Sequence, residues 1–197
     1  MYGVSASLLP QPRPRERAGD RTRVRLFEAA VAEFRRVGFD RASIARIASA
    51  AGVSRPSFYF HFPTKEHVLL ELQWGLERAV VERIAAAPSL REALLAFVDG
   101  MIDAERRLGG SGLLRDILSI YARRPQEIDL DDQPLPLVHE LARRFAEAAA
   151  RGELRGGLDP ARATNLCLAS VFGYLTTAGG SSDEARADLR ALVSLYL

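Results

Sequence analysis

Apolar residues recur along this chain at spacings of three and four, and that period predicts helices. A first helix should begin near Asp20 to Thr22 and stop at Gly38, with Val24, Phe27, Val31 and Phe34 as its stripe and Phe39 tucked in behind the stop. Two short helices follow, over about 43–50 and 54–60. A long fourth runs from Thr64 to about Ala87, striped by Val68, Leu69, Leu72, Leu76, Val80 and Ile84. Pro88-Ser89 opens a fifth (Leu90, Leu94, Phe97, Met101, Leu108), and Gly109-Gly110-Ser111-Gly112 closes it. Further helices are expected over about 113–123, 137–151, 159–177 and from 183 to the end, with a proline- and acid-rich loop from Pro125 to Pro136. No segment has strand period, and there is no internal repeat or heptad run. The pattern predicts an all-α fold of about nine helices. It divides into a proline-rich arm (1–19), a three-helix head (20–63) and a helical body (64–197).

The most specific stretch is Ser43 to Lys65. Ser43 suits an N-cap, and Ile44, Ile47 and Ala48 lie on one face of a short helix. Gly52 suits the positive φ that ends it. Ser54 caps the next helix, and Pro56 falls in its first turn, where a missing N–H costs little. This is the grammar of a helix-turn-helix, whose second helix can enter the major groove of DNA. Arg55, Ser57, Tyr59 and His61 make that second helix unusually polar for its length. Arg55 matches guanine O6 and N7 bidentately, or else contacts phosphate. Thr64 and Lys65 stand at a helix start, where free amides and an ammonium together would clamp a phosphate. Ser43, as a cap, and Arg46, on the outer face of its helix, are weaker phosphate candidates.

These residues resemble the N-terminal domain of the TetR family of bacterial repressors. The resemblance runs from about Thr22 to Leu72 and rests on Gly38-Phe39, Ile47-Ala48, Ala51-Gly52-Val53-Ser54, Tyr59, His61-Phe62 and Lys65-Glu66. It implies DNA contacts from Ser54, Pro56, Ser57, Tyr59 and His61, although Tyr59 could equally stack inside the head and His61 could be a helix end without a ligand. It also implies that the last two helices pair with their copies across a homodimer interface. Ala169, Gly173 and Thr177 on the small-residue face of the eighth helix, and Leu189, Leu192, Val193 and Tyr196 on the ninth, are the candidates. A cavity in the body is implied too, drawn from Trp74, Phe97, Met101, Leu114, Tyr121, His139, Phe145, Cys167 and Tyr174. For each of these, plain core packing is the alternative.

Charge sharpens the division. Net charge is +2, yet residues 1–65 carry 12 Lys/Arg against 5 Asp/Glu and the remainder 15 against 20. A basic head on an acidic body is the footprint of a nucleic-acid binder. Lys65 is the single lysine among 27 basic residues. Cys167, the single cysteine, leaves no intrachain disulfide and no cysteine-based zinc site. No apolar run reaches the ~18 residues of a membrane span, and no signal peptide is read in the first twenty residues, so the expectation is a cytoplasmic protein. The arm carries Arg13, Arg15 and Arg17 among Pro10, Pro12 and Pro14, which makes it a solvated tail or a minor-groove arm.

No convergent set of titratable groups, metal-ligand spacing or phosphate loop stands out, so neither an enzyme nor a cofactor is expected. The sequence therefore predicts a ligand-responsive repressor that binds a palindromic operator as a dimer and is released by a small, mostly apolar inducer. The rivals are the same fold governed by a protein partner or by concentration, and an interaction module with a vestigial head.

Overall fold

The computed structural model describes residues 18–108, 112–123, 135–177 and 183–197, and all of these are helix or the turns between helices. Nine α-helices occur among them: α1 Ala18–Val37, α2 Ile44–Ala50, α3 Arg55–His61, α4 Lys65–Ala86, α5 Leu90–Leu108, α6 Leu113–Arg123, α7 Pro136–Ala150, α8 Pro160–Thr177 and α9 Asp183–Leu192. Short 3-10 turns follow α7, at Arg155–Gly157, and α9, at Val193–Leu195. The all-α expectation holds. The expected arm up to residue 17, and the expected breaks at 109–111, 124–134 and 178–182, lie outside the described residues.

The chain forms two compact units, and the boundary between them falls inside α4 rather than at its start. The first comprises α1 to α3, α4 as far as Leu76, and α6; the second comprises α4 from Glu77, then α5 and α7 to α9. In the first unit α1 buries Leu26, Phe27, Ala30, Val31 and Phe34. Gly38 (φ +82°) turns the chain back so that Phe39 meets Phe34 edge-on at 5.2 Å. Only a residue without Cβ takes that φ cheaply. Glu71 on α4 is buried and held by Arg23 of α1, whose guanidinium also stands 4.5 Å over the Phe62 ring. The ion pair thus fastens the start of α4 onto the head and keeps a buried carboxylate satisfied.

In the second unit α5 is buried along Leu90, Ala93, Leu94, Phe97, Val98, Met101 and Ile102. Ser89 caps it reciprocally: the Glu92 amide donates to the serine Oγ at 3.2 Å, and that hydroxyl donates to the Glu92 carboxylate at 2.8 Å. Arg144 of α7 donates to the carbonyls of Ala87 and Ser89 and so holds the α4–α5 turn. Asp159 accepts from the Arg162 amide at 2.9 Å, with Pro160 opening α8. Arg186 of α9 bridges Asp99 (2.6 Å) and Asp103 (3.1 Å) on α5, and Asp103 also takes Arg83 of α4 at 3.1 Å. No helix among the described residues is long and apolar enough to cross a membrane.

Candidate nucleic-acid interface

The geometry of α3 follows from two anchors. Phe58 and Phe62 point inward and are almost fully buried, with ring centroids 5.9 Å apart. Each buried ring contributes about 1.5–3 kcal/mol, enough to fix the rotation of a seven-residue helix that could not form alone. The opposite face, Arg55, Pro56, Tyr59 and Phe60, is then left in solvent. Ser54 caps α3 by accepting from the Ser57 amide at 3.4 Å, and Gly52 (φ +67°) makes the turn before it. From Arg41 to Lys65 the chain carries four basic residues and no acidic one. An exposed helix face inside an acid-free basic segment can meet a polyanion without repulsion.

The proposed contacts fall into distinct groups. Arg55, Pro56 and Tyr59 are exposed on the outer face, and Ser57 is half-buried at its edge. His61 is half-buried and packs edge-on to Phe60 at 5.1 Å. Arg46 is exposed and lies 3.5 Å from Glu33 of α1, a carboxylate that Arg36 also holds with two bonds of 2.9 Å. Ser43 stands at the N-cap of α2 with extended backbone, but its hydroxyl does not bond that helix's amides, contrary to the capping expected of it. Thr64 pairs with His67 Nδ1 at 3.0 Å inside the first turn of α4.

Lys65 departs furthest from expectation. Its ammonium donates to the carbonyls of Phe39 (2.9 Å), Asp40 (3.3 Å) and Ala42 (3.3 Å) and sits 4.8 Å over the Phe39 ring. Three donors on three carbonyls leave none for a phosphate. In this structure Lys65 braces the loop between α1 and α2. Lys65→Met is expected to cost about 1–2 kcal/mol and to lower the melting temperature, while the salt dependence of DNA binding keeps its slope. A phosphate contact would instead reduce that slope by about one with stability unchanged, so salt titration beside thermal melting separates the two roles.

Burial holds the His67 imidazole below its ordinary value of 6.5, with Glu66 opposing the shift. The folded state therefore binds fewer protons there than the unfolded chain, and this contribution is present above pH 6.5 and lost as pH falls below it. Melting curves from pH 7.5 to 5.5 are expected to shift down more steeply for the native chain than for His67→Asn.

Cavity candidates are spread through the fold. Trp74 and Leu114 belong to the first unit, whereas Phe97, Met101, His139, Phe145, Cys167 and Tyr174 belong to the second. Tyr121 is on α6, and its side chain is outside the described residues. Phe97 and Met101 are part of the buried row of α5, and Phe145 is fully buried against Tyr196 with centroids 5.5 Å apart. His139 is exposed on α7 and lines nothing internal, because the inward positions of that helix are Leu137, Leu141, Phe145 and Ala148. Tyr174 sends its hydroxyl to Asp188 at the surface; that bond pushes its phenol up. Cys167 alone joins a cavity of the second unit, of about 10 Å³, lined by Leu94, Val98, Ser170, Leu189, Val193 and Tyr196 among others. Burial raises its thiol to about 12.

The dimer candidates separate in the same way. Ala169, Gly173 and Thr177 are exposed along α8, and Leu192 is half-buried. Leu189, Val193 and Tyr196 face inward instead, all under 7% exposed and lining the cavity just described. They are spent inside the unit, and the exposed residues of α9 are Asp183, Glu184, Ala187, Asp188, Arg190 and Ala191, with Leu195 exposed in the 3-10 turn that follows.

The profile of bacterial regulatory proteins of the tetR family matches residues 26–72, the span from α1 through α3 into α4. This span carries the DNA-binding domain of the tetR family. The chain's relatives include transcriptional regulators. One is the HTH-type transcriptional regulator UidR of Escherichia coli K12, 26% identical over 164 residues, which span 78% of this chain and 80% of UidR. Among solved structures, FadR of Thermus thermophilus, a TetR-family repressor in complex with lauroyl-CoA, superposes with a TM-score of 0.65. It is 25% identical over 87% of this chain and 91% of FadR. A TetR-family regulator from a Rhodococcus species superposes with a TM-score of 0.65 over 89% of this chain and 97% of its own; at 21% identity it shares the fold.

Proposed function

We propose that this tetR-family regulator is a ligand-responsive repressor, in which a DNA-reading head over residues 20–63 is governed by the body that follows. The observation that carries this reading is the outward face of α3: Arg55, Pro56, Tyr59 and Phe60 stand in solvent because Phe58 and Phe62 hold the helix from behind. Arg55 has the geometry to read a guanine edge, and Ser43, Arg46, Ser54, Ser57, Tyr59, His61 and Thr64 flank it as candidates for phosphate and base contact. One head reaches only a few base pairs. A two-fold dimer reading half-sites about 34 Å apart is therefore the physical expectation.

The exposed positions Leu166, Ala169, Gly173 and Thr177 of α8 recur along one side of that helix and support it as the pairing surface, with Ala187 and Ala191 exposed on α9 among the charged Glu184, Asp188 and Arg190. The lauroyl-CoA bound by FadR supports an inducer with a long apolar part. Such a molecule needs only to prefer one state of the body over another to change operator affinity, because linkage requires no more than that difference. A second reading keeps the DNA binding and drops the small molecule. One cavity of the second unit, lined by Leu94, Cys167, Leu189 and Tyr196 among others, has room for about a water and supports that reading.

Selection of duplexes from a random pool by the purified full chain tests the core of the proposal. A palindrome with half-sites one helical turn apart is expected, bound by two chains as measured by light scattering. Enrichment of no sequence would sink it. Titrating lauroyl-CoA into the operator complex then decides between the two readings: release, accompanied by a change in emission from Trp74, the single tryptophan, favours the ligand.

A further inference from the structure

The most exposed large apolar side chain among the described residues is Phe60, at 84%, and it stands on the same face of α3 as Arg55. A phenyl ring has no donor or acceptor to offer water or phosphate, so its exposure is unfavourable unless an apolar surface covers it. Two aligned rows follow from helical spacing. Arg55 and Tyr59 form a polar row four residues apart, while Pro56 and Phe60 form an apolar row beside it. The His61 ring lies edge-on to the Phe60 ring at 5.1 Å. The surroundings restrict the occupant. Arg41, Arg46 and Arg55 are exposed in the same stretch, and no acidic residue occurs between Arg41 and Lys65, so the surface that suits this face is anionic overall and apolar at one point. In duplex DNA the only apolar group on the major-groove edges is the 5-methyl of thymine.

We propose that Phe60, backed by Pro56, reads the thymine 5-methyl group, giving this head a specificity for thymine beside the base pair contacted by Arg55. The inference rests on the reading of α3 as a DNA-recognition helix and adds a second, apolar element to its code. Guanine is read by hydrogen bonds from Arg55; the thymine is read by contact alone.

The experiment uses the full chain and its selected operator, with affinity measured by fluorescence anisotropy. The half-site should contain an invariant thymine next to the guanine. Replacing each thymine singly by deoxyuridine removes only a methyl, and at that one position affinity should fall about three- to five-fold per half-site. Replacement at other thymines should have no effect. Phe60→Ala should bind thymine and uracil operators equally while keeping the guanine preference. Three results would overturn the proposal: selected half-sites with no fixed thymine there, a native chain indifferent to every thymine-to-uracil exchange, or Phe60→Ala weakening all sequences alike, which would place the ring on the sugar-phosphate backbone. These leave sequence-specific binding intact; absence of any selected sequence would instead remove the DNA-reading function on which the proposal rests.

Discussion

Phe58→Ala is expected to abolish sequence-specific DNA binding by unfolding the head. Phe58 is fully buried, meets Tyr59 edge-on at 5.7 Å and packs on Phe62 at 5.9 Å. Truncating such a ring costs about 3–5 kcal/mol, the lost transfer energy plus the cavity left behind. A head of this size has only a few kcal/mol in hand, at roughly 0.05–0.15 kcal/mol per residue. The loss therefore equals most of its stability. α3 suffers first, because seven residues have no independent helical stability and Phe58 is its only buried residue between the caps. Helical signal from α5 and α7 to α9 should persist in circular dichroism, while hydrogen exchange of the α2 and α3 amides accelerates. Phe58→Leu, which keeps most of the volume, should retain binding. If Phe58→Ala binds its operator as tightly as the native chain, α3 does not depend on this anchor and the orientation of its outer face is wrong.

The second large effect is on specificity. Arg55→Ala should relax the preference at a single base pair in each half-site by about 1–3 kcal/mol. The salt dependence should move little, since no phosphate contact is removed. Arg55→Lys separates charge from geometry: a lysine keeps the positive charge but loses the planar fork that grips guanine twice, so it should resemble alanine in specificity and arginine in salt dependence. Uniform weakening across all sequences, with a salt slope reduced by about one, would make Arg55 a phosphate contact instead. Combining Arg55→Ala with Phe60→Ala should remove guanine and thymine preferences independently if the two rows act as separate readers. Their positions are close enough for coupling to be measurable by a double-mutant cycle.

Much of this architecture follows from local rules. The end of α2 and the bounds of α3 were legible because Gly52, Ser54 and Pro56 act within a few residues of themselves. The beginnings of α5 and α8 were legible for the same reason, through Ser89 and Asp159. The candidate reading face was legible only in part. Arg55 stands out by its chemistry, and Phe58 and Phe62 read as core residues with Phe60 between them partly exposed or packed on the backbone of DNA, but Tyr59 reads equally as stacked inside the head or as a DNA contact.

Packing agrees with the inward pair, Phe58 and Phe62, and leaves Phe60 and Tyr59 outside. Lys65 shows the limit of local reading. As the first residue of a helix it reads as a cation awaiting an anion, yet its acceptors are carbonyls contributed by Phe39, Asp40 and Ala42, more than twenty positions earlier. No local pattern announces them. On α9 and the turn after it the stripe of Leu189, Val193 and Tyr196 was visible as an apolar face, but a stripe does not state what covers it; here α5 and α8 of the same chain do, leaving Glu184, Ala187, Asp188 and Ala191 outward. The sequence by itself determined which segments are helical, where they stop and that the N-terminal third is basic, since propensity, capping and charge are properties of neighbours along the chain. Only the tertiary structure decided which side of each helix is spent on the core and which remains to meet a partner, because burial depends on residues distant in sequence that the fold brings together.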